Sequence, residues 1–269
     1  MITVEFETPT LNEKGEIIAR THHSVQQFTE DLGNGIQLDM ILIPAGLFQM
    51  GSPRHLGNMD EQPQHLVSIK PFLIGKFLIT QAQWKAVMGK LPPPPCRFKG
   101  DNLPVERVSW NDAQKFCQRL SKKAGRNYKL PSETQWEYAC RAGTTTPFSF
   151  GETLTNDVAN FNGEHTFREE PRGFYFHCTN EGGKFPPNAF GMYDMHGNLW
   201  ELCSDNWLDD YSSSPRDGSF YQNKDSRYHV VRGGSWHEPP ALCRSAARIK
   251  VLGSDAEEFI GFRVVCDSS

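Results

Sequence analysis

Apolar residues along this 269-residue chain change their spacing several times, and those changes divide it into elements. Val4 and Phe6 alternate with polar neighbours, residues 12–15 read as a turn, and Ile17 and Ile18 resume an extended pattern. The spacing predicts a hairpin within residues 1–35, an arm packed on the domain formed by residues 36–269. Two apolar, β-prone runs follow at 40–44 and 66–80. The stretch between them, 51–63, is polar, carries Pro and Gly, and is expected on the surface.

Helical spacing then takes over. After Ser109, the residues Ala113, Phe116, Cys117 and Leu120 fall at i, i+3, i+4 and i+7, one apolar face over 111–122. Ser132 with Gln135 three residues later forms a capping box. Trp136, Ala139 and Cys140 make the buried stripe behind it, and Gly143 is expected to end that helix. A weaker pattern with Trp84, Val87 and Met88 predicts a third helix within 78–89. From 144 to 228 periodicity fades, and Gly, Asn, Pro and aromatic residues dominate. So long an irregular stretch belongs in a compact domain when it is functional or pinned, for instance by ions. Strand patterns return at 228–236, 243–250 and 261–267. The pattern is that of one loop-rich α+β domain with few, short helices.

Composition narrows the function classes. Lys and Arg number 28 against 32 Asp and Glu, a formal net charge of -4, so there is no basic field for nucleic acid or anionic lipid. No apolar run approaches a membrane span, and the first residues lack the basic and apolar regions of a secretory signal, so the expected location is the cytoplasm. The seven cysteines include no C-x-x-C pair, which removes zinc-ribbon and dithiol redox readings. They are expected as small buried apolar residues. Six Trp and 18 Phe among 23 Gly and 18 Pro suggest a core pinned by large rings under many turns.

Several short segments occur in a telling order. They are Met40-Ile-Leu-Ile-Pro-Ala-Gly46 with Met50-Gly-Ser52, Leu103-Pro-Val-Glu-Arg-Val-Ser-Trp110, Leu130-Pro-Ser-Glu-Thr-Gln-Trp-Glu-Tyr138 and Arg141-Ala-Gly143. Pro187-Asn-Ala-Phe-Gly-Met-Tyr-Asp-Met-His-Gly-Asn-Leu-Trp-Glu201, Arg232-Gly-Gly-Ser-Trp236 and Gly261-Phe-Arg263 follow. Spread over residues 36–265, this set resembles the formylglycine-generating-enzyme family. The resemblance implies a C-type-lectin-like fold, loops around small twisted antiparallel sheets.

The enzyme of that family resembles a copper oxidase whose metal sits between two cysteines, three and eight residues after the serine of Arg-Gly-Gly-Ser. Here the serine is Ser235. The second position is Cys243, but the first is Glu238. Thiolates suit Cu(I) because both are soft, and a carboxylate is a hard substitute. Copper is therefore not expected, and Cys243 is read as a buried strand residue. An enzymatic alternative, a metal-dependent oxidase or sulfoxide-synthase-like member, would use Ser235 and Cys243. The sulfoxide-synthase branch carries a helical bundle with iron-binding histidines. The roughly 35 residues before this core are too few for one, and adjacent His22 and His23 cannot share a helical face.

By the same resemblance, Asp194, Gly197, Leu199 and Glu201 form a structural calcium site, and Asn160 and Phe161 half of a second. Calcium takes carboxylates mixed with backbone carbonyls. His196, inside that turn, is expected to be packed and hydrogen-bonded rather than a catalytic base.

From His237 to Phe259 the frame is Pro240, residues 243–246, Arg248 and residues 260–263. Between them stand His237, Glu238, Pro239, Ala241, Leu242, Ala247, Ile249, Lys250, Val251, Leu252, Glu257, Glu258 and Phe259. This resembles the variable proteins of diversity-generating retroelements, in which mutagenesis rewrites C-terminal positions of the same fold. It implies a non-catalytic protein that displays these side chains to a macromolecular ligand, with Ile249, Val251, Leu252 and Phe259 as the apolar centre of a charged rim.

Overall fold

The structure, a computed structural model, describes residues 1–267. The N-terminal segment forms the hairpin β1 (Ile2–Leu11) and β2 (Ile17–Asp31), paired antiparallel. β2 pairs in turn with β3 (Gln37–Ile43), so the arm extends a larger sheet. β4 (Gly46–Met50) and β5 (His65–Ile69) form a separate ribbon, and β6 (Phe72–Gly75) returns to pair with β3. The helices α1 (Gln81–Met88), α2 (Trp110–Ala124) and α3 (Glu133–Arg141) follow. Then come β7 (Trp200–Asn206), β8 (Tyr228–Arg232), β9 (Arg248–Leu252), β10 (Ile260–Gly261) and β11 (Val265–Asp267). Among the described residues the main sheet has the order β1-β2-β3-β6-β11, and a second sheet the order β10-β7-β8-β9. Among the described residues no helix is long and apolar enough to cross a membrane.

The inner strands β3 and β6 of the main sheet, and β7 and β8 of the second, are buried on both faces, which explains runs such as Met-Ile-Leu-Ile in place of strict alternation. Met40 and Leu73 face a core with Trp84, Phe116 and Phe262, while Ile41, Ile43 and Ile74 face another around Trp136. Trp84 stacks on Phe116 at 5.3 Å and Phe262 meets both edge-on, so the apolar faces of α1 and α2 close on a ring cluster.

All three helices start where their caps place them. The Ser109 side chain accepts from Asp112 N–H, and Thr80 and Ser132 each complete a capping box. α1 is shorter than the 78–89 pattern because Thr80 is its cap and Ile79 bonds Phe262 and Val105 as extended chain. Ala142, left-handed at φ 46°, ends α3 one residue before the expected glycine.

Four further expectations are corrected. β7 forms where no strand was predicted. β8 stops at Arg232 because Gly233 and Gly234 take positive φ. Cys243 closes a 3-10 turn, Pro240–Cys243, and the following strand begins only at Arg248. The 51–63 stretch is not wholly on the surface: Glu61 is fully buried, where Arg244 grips both its oxygens at 2.7 and 2.8 Å.

Buried arginines fasten the loops. Arg263 binds Glu201 through both oxygens and donates to the carbonyls of Gly75 and Tyr193. Arg248 does the same with Glu133 and the carbonyls of Asp60 and Leu208. Arg232 joins Glu137 to the carbonyls of Ala247 and Ser245. Each guanidinium satisfies loop backbone groups that no ladder serves.

Candidate functional site

The turn 233–236 places the family-like serine and cysteine together but seals them. A Cβ on Gly234 would lie 2.4 Å from the Cys243 sulfur, so glycine there lets the backbone lie on the thiol. Ser235 and Cys243 are both inaccessible. Burial pushes the Cys243 thiol well up, and the nearby Glu238 carboxylate adds to it. A thiol so disfavoured as thiolate is a poor nucleophile and a poor metal ligand. Glu238 is half-buried; its carboxylate accepts from the Trp200 indole at 3.3 Å and its carbonyl from Asn162 N–H at 2.9 Å.

Outside this seal lies a cleft of about 220 Å³, lined by Arg97, Tyr175, His177, Trp236, His237, Glu258 and Phe259. Tyr175 stacks on Trp236 at 5.9 Å and packs on His177 at 3.7 Å. Its hydroxyl meets His237 Nδ1. Arg97 lies over Trp236 at 5.7 Å and pairs with Glu258, which Arg107 also holds at 2.9 Å. His237, Glu258 and Phe259 were expected in a binding face. Arg97, Tyr175 and His177 were not, since they come from the proline loop and the aperiodic middle. The run Phe174-Tyr-Phe-His177 was the available signal: aromatic residues in a loop without periodicity need some partner.

The C-terminal segment divides by burial. The frame residues Pro240, Cys243, Arg244, Ser245, Ala246, Arg248 and Ile260 through Arg263 are all buried. His237, Ala241, Lys250 and Glu257 are exposed, and Glu238, Pro239, Leu242, Ile249, Leu252, Glu258 and Phe259 are half-buried. Ala247 and Val251 depart from the expectation. Ala247 sits at 1% exposure behind the turn, and Val251 at 8% faces the main core from β9. Ile249, Leu242 and Phe259 also lean on that core, so the expected open apolar centre is half covered. Lys250 lies apart from the cleft, over the Trp207 and Tyr228 rings at 5.8 and 5.2 Å.

The turn around Asp194 carries buried oxygens without partners. Asp194 takes φ 58° and Asn198 φ 66°, and a Cβ on Gly197 would lie 2.2 Å from the Asn160 carbonyl. One Asp194 oxygen accepts from Asn180 at 3.1 Å, and the other is buried and unpaired. Asn160 Oδ1, Thr179 Oγ1 and Asn180 Oδ1 are likewise unpaired. Burial raises the Asp194 carboxyl to about 6. Hard oxygens with unmet demand are of the kind calcium takes. The Glu201 carboxylate differs from the expectation, because Arg263 already engages both its oxygens at 2.6 and 2.7 Å. At the second half-site, the Phe161 carbonyl accepts from the Asn156 amide at 3.4 Å.

His196 is fully buried and neutral, its pKa lowered to about 4 by burial. Nδ1–H donates to the Cys243 carbonyl at 2.8 Å, while Nε2 accepts from Ser149 N–H at 3.0 Å and faces its hydroxyl at 2.9 Å. The ring ties three loops together. His22 pairs with Glu7 across the exposed hairpin.

Residues 29–268 match the model of the sulfatase-modifying factor enzyme 1-like domain. A bovine relative, inactive C-alpha-formylglycine-generating enzyme 2, is 28% identical over 87% of this chain and 89% of its own. The structure of PvdO from Pseudomonas aeruginosa is 34% identical with a TM-score of 0.78, covering 89% of this chain and 98% of that one. Treponema denticola variable protein 1 has a TM-score of 0.77 at 24% identity, over 90% and 99% of the two chains, which is a likeness of fold.

Proposed function

The chain belongs to the sulfatase-modifying factor enzyme 1-like family, and we propose that it is a ligand-binding member of it that does not form formylglycine. The observation that carries this reading is Glu238 at the position of one of the enzyme's two copper thiolates, beside a Cys243 thiol closed off by Gly234. One buried thiol and one carboxylate do not make the soft two-sulfur site that Cu(I) prefers. The name of the bovine relative, an inactive enzyme, is in keeping with it. The test is a cysteine-bearing sulfatase-type peptide incubated with the protein and copper. No aldehyde above background is expected, and aldehyde formation restores the metal-dependent oxidase as the function.

The ligand is a protein or other macromolecule, seated at the cleft beside Trp236 and His237. The seven cysteines carry no disulfide, which suits a reducing cytoplasm. The division between a buried frame and an outward set supports display of changeable side chains on a fixed scaffold. Diversification predicts a nearby reverse transcriptase and a template copy that differs only at adenines. A genome without them removes that part of the reading and leaves the binding cleft.

A structural calcium ion is part of the proposal, held by Asp194 and the carbonyls of Gly197 and Leu199, with Asn160 and Phe161 as half of a second site. Glu201 contributes through Arg263, by fixing the strand on which the turn closes. The ion's role is to neutralise the Asp194 carboxylate and hold the aperiodic middle in place.

A further inference from the structure

The cleft holds a charged residue of its own chain in an unusual setting. The Arg97 guanidinium lies over the Trp236 ring at 5.7 Å and the Phe98 ring at 5.1 Å, and Phe98 meets Trp236 edge-on at 5.7 Å. Its counter-ion is Glu258. A cation between ring faces beside a carboxylate is the arrangement by which aromatic cages hold cationic groups. Arg97 is accessible: its side chain is 46% exposed, and it comes from the proline-rich loop rather than from a sheet or helix.

Charge in the cleft points the same way. Burial raises the Tyr175 phenol, Arg97 opposes it, and Glu164, Glu238 and Glu258 add to it. Three carboxylates bear on the ring, and two arginines answer them, Arg97 directly and Arg107 through Glu258. Moving Arg97 out would leave the aromatic faces and Glu258 with one positive charge fewer. With Arg97 in place the open volume, about 220 Å³, lies below the 300–1,000 Å³ usual for small-molecule sites, and departure of Arg97 would add the room of one guanidinium side chain.

We infer that the cleft between Trp236, Tyr175 and Glu258 takes the guanidinium side chain of an arginine in a partner protein, and that Arg97 is the internal occupant it displaces. This rests on the reading of the cleft as a binding site. Arg97 then acts as a competitor: a partner must do better than a tethered copy of its own head group. Occupancy of the cage by Arg97 lowers the apparent affinity by the fraction of time the cage is free.

The test is calorimetric titration of blocked Gly-Arg-Gly, Gly-Lys-Gly and the neutral isostere Gly-citrulline-Gly into the wild type, Arg97→Ala and Glu258→Gln. The arginine peptide is expected to bind best and the citrulline peptide not at all. Arg97→Ala is expected to tighten arginine binding about tenfold, if the cage is free one time in ten. Glu258→Gln is expected to abolish the preference for arginine over citrulline. Equal binding of arginine and citrulline by the wild type overturns the inference, as does weaker arginine binding by Arg97→Ala. Absence of arginine binding to that variant up to about 10 mM, an affinity of a few kcal/mol, also overturns it. None of these results touches the wider reading, which falls instead if the cysteine peptide is converted to aldehyde.

Discussion

Replacing Asp194 by asparagine isolates the calcium proposal, because the two residues differ little in shape and both tolerate the left-handed backbone at φ 58°. In the wild type one carboxylate oxygen is buried without a partner, and the carboxyl is raised from 3.8 to about 6. A raised carboxyl stabilises the fold at low pH, relative to neutral pH, and that contribution is lost as pH rises through about 6. With no ion bound, the charged group therefore opposes folding by about 1 kcal/mol near pH 4.5 and by up to about 3 kcal/mol near pH 7.5. Asparagine removes the charge and keeps the acceptor for Asn180. Any cost of its new amide N–H is the same at both pH values. In a chelator, the stability of Asp194→Asn relative to wild type is expected to improve by about 2 kcal/mol between those pH values, read as roughly 4–8 °C in melting temperature. With excess calcium the wild type is expected to regain that difference and the variant to respond weakly. A difference that does not change with pH in chelator would refute the buried, unpaired carboxylate. Equal calcium responses in the two proteins would refute the site.

Other outcomes follow from the same packing. Arg248→Leu removes both guanidinium contacts to the buried Glu133 carboxylate, 2.7 and 3.0 Å, and leaves it Tyr211 and Arg232, so the expected cost in urea unfolding is at the lower end of about 3–5 kcal/mol; a loss under about 1 kcal/mol would contradict the pairing. Iodoacetamide on the native protein is expected to label Cys178, the half-buried thiol, and to spare Cys243 until global unfolding, as peptide mass mapping would reveal. Since the folded pKa of His196, about 4, lies below the ordinary 6.5, its neutral ring stabilises the fold above 6.5, and that stability is lost as pH falls toward 4. In NMR its ring should stay neutral throughout pH 5 to 7 within about one unit; a midpoint near 6.5 would count against the buried triad of contacts.

The hairpin, the apolar faces of α1 and α2 and the capping boxes were legible because each follows from spacing within a few residues. β7 was not, because both its faces are buried and it sits in a Gly- and Asn-rich context that supplies no alternation. Glu238 and Cys243 were legible as a mismatch by counting from Ser235. Their sealing was not, since it depends on Gly234 lying on the sulfur. The cleft was half legible. His237, Glu258 and Phe259 are close to Trp236 in sequence, but Arg97, Tyr175 and His177 arrive from segments 60 to 140 residues earlier. Val251 misled for a simpler reason: within β9, next to exposed Lys250, it must turn inward, while Ala247 precedes that strand and is buried behind the turn.

What lets so little regular structure hold a cleft is the placement of the buried charges. A loop-rich fold leaves many carbonyls without a ladder partner, and each costs free energy when buried. Here single guanidiniums answer several at once, because arginine carries five donors in a fixed fork. Each is neutralised by a glutamate anchored elsewhere: Glu133 and Glu137 on α3, Glu201 on β7 and Glu61 beside Gln62. An isolated buried pair is weak evidence of stability, but these pairs also fix which loop meets which strand. Their positions flank the outward residues of the C-terminal segment, with Arg244, Arg248 and Arg263 among the buried frame residues. Side chains at 237–239, 249–250, 257 and 259 can therefore change without disturbing a buried guanidinium, whereas Glu258 is tied to Arg97 and Arg107 at the surface. On the proposed reading, a binding surface could be rewritten on this scaffold because its backbone is held by charges that lie beneath it.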